Sequence, residues 1–170
     1  VDLRIDICEK NALQTVVTSK NILSITLQAN ERLTLSSIVK CPTAKDWSCE
    51  SPNLYFAKIT VMHNEMAIDD LIDQFGFREI AIQGKDILMN GKPIRIKGVC
   101  RHEDHPQYGC AIPYHAMAYD LNLIHDLGAN SIRTVHYPND ELFLDLCDEM
   151  GILVWEENHA RGLSEEDMKN

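Results

Sequence analysis

The chain has 170 residues, 45% hydrophobic and 25% charged, a globular balance that sets aside a disordered or fibrous protein. Its formal net charge of −10 repels phosphate backbones and anionic membrane surfaces, so neither nucleic acid nor a membrane is an expected partner. No run of about 18 apolar residues is present, and Val1-Asp2-Leu3-Arg4 lacks the charged-then-apolar character of a secretion signal.

Residues 1–83 read as a series of short strands. Leu3, Ile5 and Ile7 alternate with polar residues, as do Ile22 to Leu27, Leu33 to Val39 and Tyr55 to Met62, with a turn at His63-Asn64. Stretches 67–75 and 77–82 complete the series. Short alternating strands joined by polar turns predict an antiparallel sandwich. Trp47, ahead of Ser51-Pro52, reads as a loop aromatic folded onto it. The six cysteines, Cys8, Cys41, Cys49, Cys100, Cys110 and Cys147, form no CxxC pair and no small-scaffold spacing. They read as free thiols in a reducing compartment, which predicts a cytoplasmic protein, and a Cys41–Cys49 bridge has no support beyond nearness in sequence.

The pattern changes near residue 85, which predicts a sandwich over 1–84 and a second domain over 85–170. Asp86 to Met89, Asn90-Gly91 and Lys92 to Val99 read as a hairpin with an Asn-Gly turn. Met117, Leu121, Ile124 and Leu127 recur at helical spacing, and Gly128 can end that helix. Ser131 to Val135 is a short strand. Leu142, Phe143, Leu146, Cys147 and Met150 form the apolar face of a second helix, with Asn139 or Asp140 to cap its start and Gly151 its end. Ile152 to Trp155 is a continuous apolar strand, and Ser164 with Asp167 suggests a third helix starting. The result is β-α-β-α-β-α with strands buried on both faces, the pattern of a parallel sheet. A doubly wound sheet and a (β/α)8 barrel both begin this way, and periodicity does not choose between them.

Each of these strands ends in polar residues. The first runs into Arg101-His102-Glu103-Asp104-His105, the second ends with Arg133 and runs to His136, and the third ends in Glu156-Glu157-Asn158-His159. In parallel α/β folds that edge builds the ligand site. No GxGxxG or GxxxxGK[ST] cradle follows any strand, and no GxSxG elbow is present. Cys100, His102, His105 and Cys110 are zinc-ligand types, but their spacing is not that of a zinc motif.

Asn130-Ser131-Ile132-Arg133-Thr134-Val135-His136-Tyr137-Pro138, followed by Asp148, Gly151 and Ile-Leu-Val-Trp, closely resembles a signature of the family 2 glycoside hydrolases. That family includes β-galactosidases, β-glucuronidases and β-mannosidases. Asn90-Gly91-Lys92-Pro93 with Gly98 to Asp104 looks like its first barrel strand, and Phe75 to Ile80 like its last sandwich strand. Val135 and Cys100 depart from it, standing where a small polar residue and Asn are common. The resemblance implies an immunoglobulin-like β-sandwich followed by about three βα units of a (β/α)8 TIM barrel, a fold of about 250 residues when complete. It implies retaining hydrolysis of a β-linked sugar by two glutamates about 5 Å apart. In the family the acid/base follows the fourth strand in an Asn-Glu pair. No such pair follows the third strand here, so both catalytic glutamates are expected beyond Asn170.

The substrate-side residues implied by resemblance are His102, Arg133, His136, Glu157 and Glu103. Arg133 would hold the nucleophile ionised, His102 and His136 would approach the sugar, and Glu157 and Glu103 would line the pocket floor. A metal site of some members uses Glu-x-His after strand three; Asn158-His159-Ala160-Arg161-Gly162 lacks that spacing, so no metal and no cofactor is expected. A homo-oligomeric parent is implied as well. The leading expectation is an inactive fragment of a β-glycosidase, foremost a β-galactosidase, with β-glucuronidase or β-mannosidase the alternatives. Two other readings are a non-catalytic sandwich interaction module and a compact α/β enzyme using Glu103 and Glu157 as its own acid and base.

Overall fold

The computed structural model describes residues 1–158, 164 and 166. The helix expected over Ser164 to Asp167 runs into residues outside that set. The chain divides into two compact units, Val1–Trp47 with Asn53–Phe77, and Ser48–Pro52 with Arg78–Asn170. No helix among the described residues is long and apolar enough to cross a membrane.

The first unit is built on an antiparallel sheet of β1 (Asp2–Glu9), β2 (Ala12–Ile22), β3 (Tyr55–His63) and β4 (Met66–Phe75), in the order β2-β1-β3-β4. The β3–β4 turn is Asn64-Glu65, one residue later than expected, with φ of 48° and 63°. Two successive left-handed residues give the turn whose twist matches the strands, and Asn tolerates that conformation. Trp47 is 1% exposed, and a Cβ added to Gly76 would lie 2.9 Å from the Trp47 Cβ, so only glycine lets this ring pack so close. Tyr55, Phe75 and Phe77 close the same region, with centroids 5.4 Å apart for Tyr55–Phe77 and 5.1 Å for Phe75–Phe77. Leu33 to Val39 forms no strand, and Leu33, Leu35 and Ile38 are exposed. Alternation becomes a strand only where a backbone ladder receives it, and none of the described strands pairs with this stretch.

In the second unit, β5 (Ile80–Gln83), β6 (Asp86–Met89) and β7 (Lys92–Ile94) form an antiparallel meander. Residues 80–83 therefore pair with β6 and do not close the sandwich series. Asn90 and Gly91, at φ 51° and 75°, make the expected turn. The hairpin is shorter than expected. Pairing with β6 stops at Ile87–Ile94, and the Lys97 N–H donates to Asn130 Oδ1 at 2.7 Å as the chain turns away.

The next strand is β8 (Gly98–Arg101), followed by α1 (Tyr114–Asp126), β9 (Ser131–Thr134), α2 (Glu141–Glu149) and β10 (Leu153–Glu156). The three strands pair in parallel, in the order β8-β9-β10. Helix α1 buries Met117, Leu121 and Ile124; Leu127, at its C-cap, lies past the buried face and is exposed. Asp140 caps α2, its carboxylate accepting from Leu142 N at 2.8 Å. Leu121, Ile132, Phe143 and Ile152 are fully buried in one core between helices and sheet. Each such side chain contributes about 1.5–3 kcal/mol by leaving water. Trp155 differs from the expected two-face burial, at 72% exposure: it stands abreast of Arg133 and Cys100, both also exposed, on the sheet face opposite the one whose Val99, Ile132 and Val154 pack in the core.

All six cysteines are free. Burial pushes the Cys147 thiol up to about 12, while Cys100 and Cys110 are exposed. At about pH 8, iodoacetamide is expected to label Cys100 and Cys110 and to leave Cys147 unmodified until the chain is unfolded, as peptide mass mapping would show.

The segment Ser48–Pro52 packs against the turn between α2 and β10. Gly151 sits at φ +70°, and a Cβ there would lie 2.2 Å from the Cys49 carbonyl oxygen. Gly109, at φ +59°, has nothing within 4 Å of the same position. Gly109→Ala carries the left-handed penalty alone, about 1–2 kcal/mol. Gly151→Ala must also displace backbone, so urea unfolding is expected to show it as clearly the more damaging.

Candidate functional site

Parallel pairing sets Arg101, Thr134 and Glu156 side by side at the C-terminal edge of the three strands. The loops that follow carry the expected residues, and the structure brings all five to this edge. Arg133 donates from Nε to Glu157 Oε1, and His136 Nδ1 lies 3.4 Å from Glu157 Oε2. The carboxylate thus has a cationic or donor group at each oxygen. Its backbone N–H is fixed in turn by Thr134 Oγ1 at 3.2 Å. The His102 ring stands edge-to-face to that of His136, centroids 5.5 Å apart. Glu103 is held apart from this group: its N–H donates to Tyr137 Oη at 3.1 Å and its Oε1 accepts from Asp140 N at 3.4 Å. The Val135–His136 peptide bond is cis.

Three residues given no role in the site from sequence pack around it. The Arg101 side chain is 6% exposed, paired with Asp120 Oδ2 at 3.0 Å and placed over the Phe143 ring at 4.1 Å. Asn139 Oδ1 accepts from Arg101 Nη1 at 3.2 Å, and its backbone N–H donates to Glu156 Oε1 at 3.3 Å. Tyr137 anchors Glu103 as described. A buried arginine at a strand end is not separable by sequence from an exposed one such as Arg133. Asn139 was legible only as a helix-cap candidate.

Among the described residues no three His, Cys, Asp or Glu side chains gather as a metal-binding group. Of the zinc-type residues, His105 stacks on Tyr108 at 4.7 Å, while His102 faces His136 instead. His159 to Gly162 lie outside the described residues.

The Arg133 hydrogen bond, foremost, holds the Glu157 carboxyl below the ordinary glutamate value; partial burial opposes it and His136 adds to the lowering. The Arg133 guanidinium is correspondingly raised by the same bond. A depressed carboxylate stabilises the fold fully above its unfolded pKa, and that contribution is lost as pH falls through the lowered value. Arg133→Met is expected to move the Glu157 carboxyl carbon titration upward toward 4.5, and to remove this part of the stability gained on raising the pH from acid. An unchanged titration would mean that His136 alone sets it.

Comparison with known proteins places these features. The family model described as the TIM barrel domain of glycosyl hydrolases family 2 matches residues 80–170, and the model "Glycosyl hydrolases family 2" matches residues 1–78. A β-galactosidase of Psychromonas ingrahamii is 39% identical over 120 residues, covering 70% of this chain and 12% of that protein. The structure of a GH2 β-galacturonidase from Eisenbergiella tayi bound to galacturonate is 56% identical with a TM-score of 0.83, covering 100% of this chain and 30% of that one. The Parabacteroides merdae β-glucuronidase structure is 33% identical with a TM-score of 0.76, covering 92% and 19%. The chain thus spans less than a third of the length of each of these proteins.

Proposed function

Because this chain belongs to glycosyl hydrolase family 2, we propose that it supplies the sandwich and the opening βα units of a retaining β-glycosidase. The observation that carries the reading is the group at the strand edge. Arg133, His136, Glu157 and His102 converge where a βα-barrel binds its ligand. Arg133 and the two imidazoles can donate to a sugar's hydroxyls or carboxylate, and Glu157 can accept from its hydroxyls. In this reading Arg133, whose side chain is 49% exposed, keeps a carboxylate at the mouth ionised. His102 and His136 face the sugar, and Glu157 and Glu103 shape the floor. The acid/base and the nucleophile come from residues beyond Asn170. Glu103 and Glu157 are each already engaged by their own partners, which disfavours them as an acid and base pair.

The sugar is proposed to be galacto-configured. The 56% identity to a β-galacturonidase along the whole chain supports a β-galacturonide. The 39% identity to a β-galactosidase supports the neutral sugar as the second reading. The two differ only at C6, a carboxylate in one and a hydroxymethyl in the other.

The whole protein is expected to hydrolyse nitrophenyl β-galacturonide in preference to the β-galactoside, β-glucuronide and β-mannoside, while the 170-residue chain alone turns over none of them. Preference for the β-galactoside would select the neutral sugar. Failure of the whole protein on all four would sink the glycosidase reading, and turnover by the short chain would place catalytic carboxylates within it.

A further inference from the structure

Resting on the glycosidase reading, we propose that Arg101 is a positioning residue: it holds the loop that carries His136 and Tyr137 against the loop that carries His102 and Glu103. Arg101 is the last residue of β8, and its side chain is 6% exposed, too enclosed to meet a sugar. A guanidinium in such a place is tolerated only with its partners fixed around it. Two of them anchor it to the helices. Nε pairs with Asp120 of α1 at 3.0 Å, and the group lies over the Phe143 ring of α2 at 4.1 Å. The others are the loops themselves. Nη1 donates to Asn139 Oδ1 at 3.2 Å and lies 3.7 Å from Glu103 Oε1.

Asn139, 8% exposed, passes the constraint on, since its Nδ2 donates to the Tyr137 carbonyl at 3.3 Å. Tyr137 Oη then accepts from Glu103 N at 3.1 Å. The contacts close a ring running Arg101, Asn139, Tyr137, Glu103 and back to Arg101. His102 lies between two of its members in sequence, and His136 is joined directly to a third. The two imidazoles, edge-to-face at 5.5 Å, are thus each tied through the chain to a member of the ring, with His136 also reaching Glu157 Oε2 at 3.4 Å. Loosening it displaces both while leaving Arg133 and Glu157 paired.

The decisive variant is Asn139→Ala in the whole protein, which breaks the ring and keeps Arg101 on Asp120 and Phe143. Its kcat on the preferred aryl glycoside is expected to fall at least about tenfold, with KM changed less. The imidazole proton–nitrogen NMR signals of both His102 and His136 are expected to shift. A merely structural role would lower the melting temperature and leave kcat and both signals in place, and that result overturns the proposal. If Asn139→Ala does not fold, Arg101→Lys is read in the same way: it keeps a cation beside Asp120 but cannot also bridge to Asn139. Should the parent protein hydrolyse no aryl glycoside, the glycosidase reading fails by itself, and the imidazole signals still decide whether Arg101 positions the two loops.

Discussion

Parallel pairing in register is the constraint on which the site depends. Gly98, Ser131 and Leu153 lie abreast at one end of the three strands, and Arg101, Thr134 and Glu156 at the other. Strands that run the same way must send every following loop out of the same edge, and α1 and α2 carry the chain back to begin again. Three polar loops far apart in sequence therefore have one place to go. The apolar faces of the helices seal the sheet from the side, with Phe143 and Leu121 fully buried, so the polar groups face the open edge.

Two arginines on neighbouring strands then meet different fates. The Arg101 side chain is enclosed, and its charge is matched from several directions by Asp120, Asn139, Glu103 and the face of Phe143. Only the guanidinium is enclosed, since the Asp120 side chain keeps 35% exposure, and removing a partner would leave that enclosed charge short of compensation. Arg133 is half exposed and its partner Glu157 sits at the mouth. Solvent can replace what that pair loses, so the pairing sets the charge state of the edge more than it holds the fold together. One cation is enclosed among its partners, and the other stays half exposed at the strand edge.

Much of this was readable in the chain. Asn90-Gly91 named its turn because two left-handed residues in a row need such a pair. Asp140, Gly128 and Gly151 marked helix ends through short-range geometry. The polar clusters at the strand ends were legible because parallel topology converts sequence phase into spatial proximity; the choice of His102, Glu103, Arg133, His136 and Glu157 among them came from the family resemblance. What failed was what depends on distant partners. Leu33 to Val39 alternates like a strand and finds no ladder, and Ile80 to Gln83 pairs forward with β6 rather than back with the sandwich strands. The difference between Arg101 and Arg133 came from Asp120 and Phe143, contacts made across the fold that no local pattern encodes.

The abutment of Gly151 on the Cys49 carbonyl has a bearing on how the molecule can be divided. The second unit is not one stretch of sequence: it borrows Ser48–Pro52 from the midst of the first. A cut after Phe77, where the first unit ends, would free the barrel portion of its upstream neighbour and would also strip that pentapeptide away. The turn between α2 and β10 would then lose the backbone against which it is fitted. Any excision, fusion or permutation of the βα portion has to bring residues 48–52 with it, so the boundary in space and the boundary along the gene do not coincide.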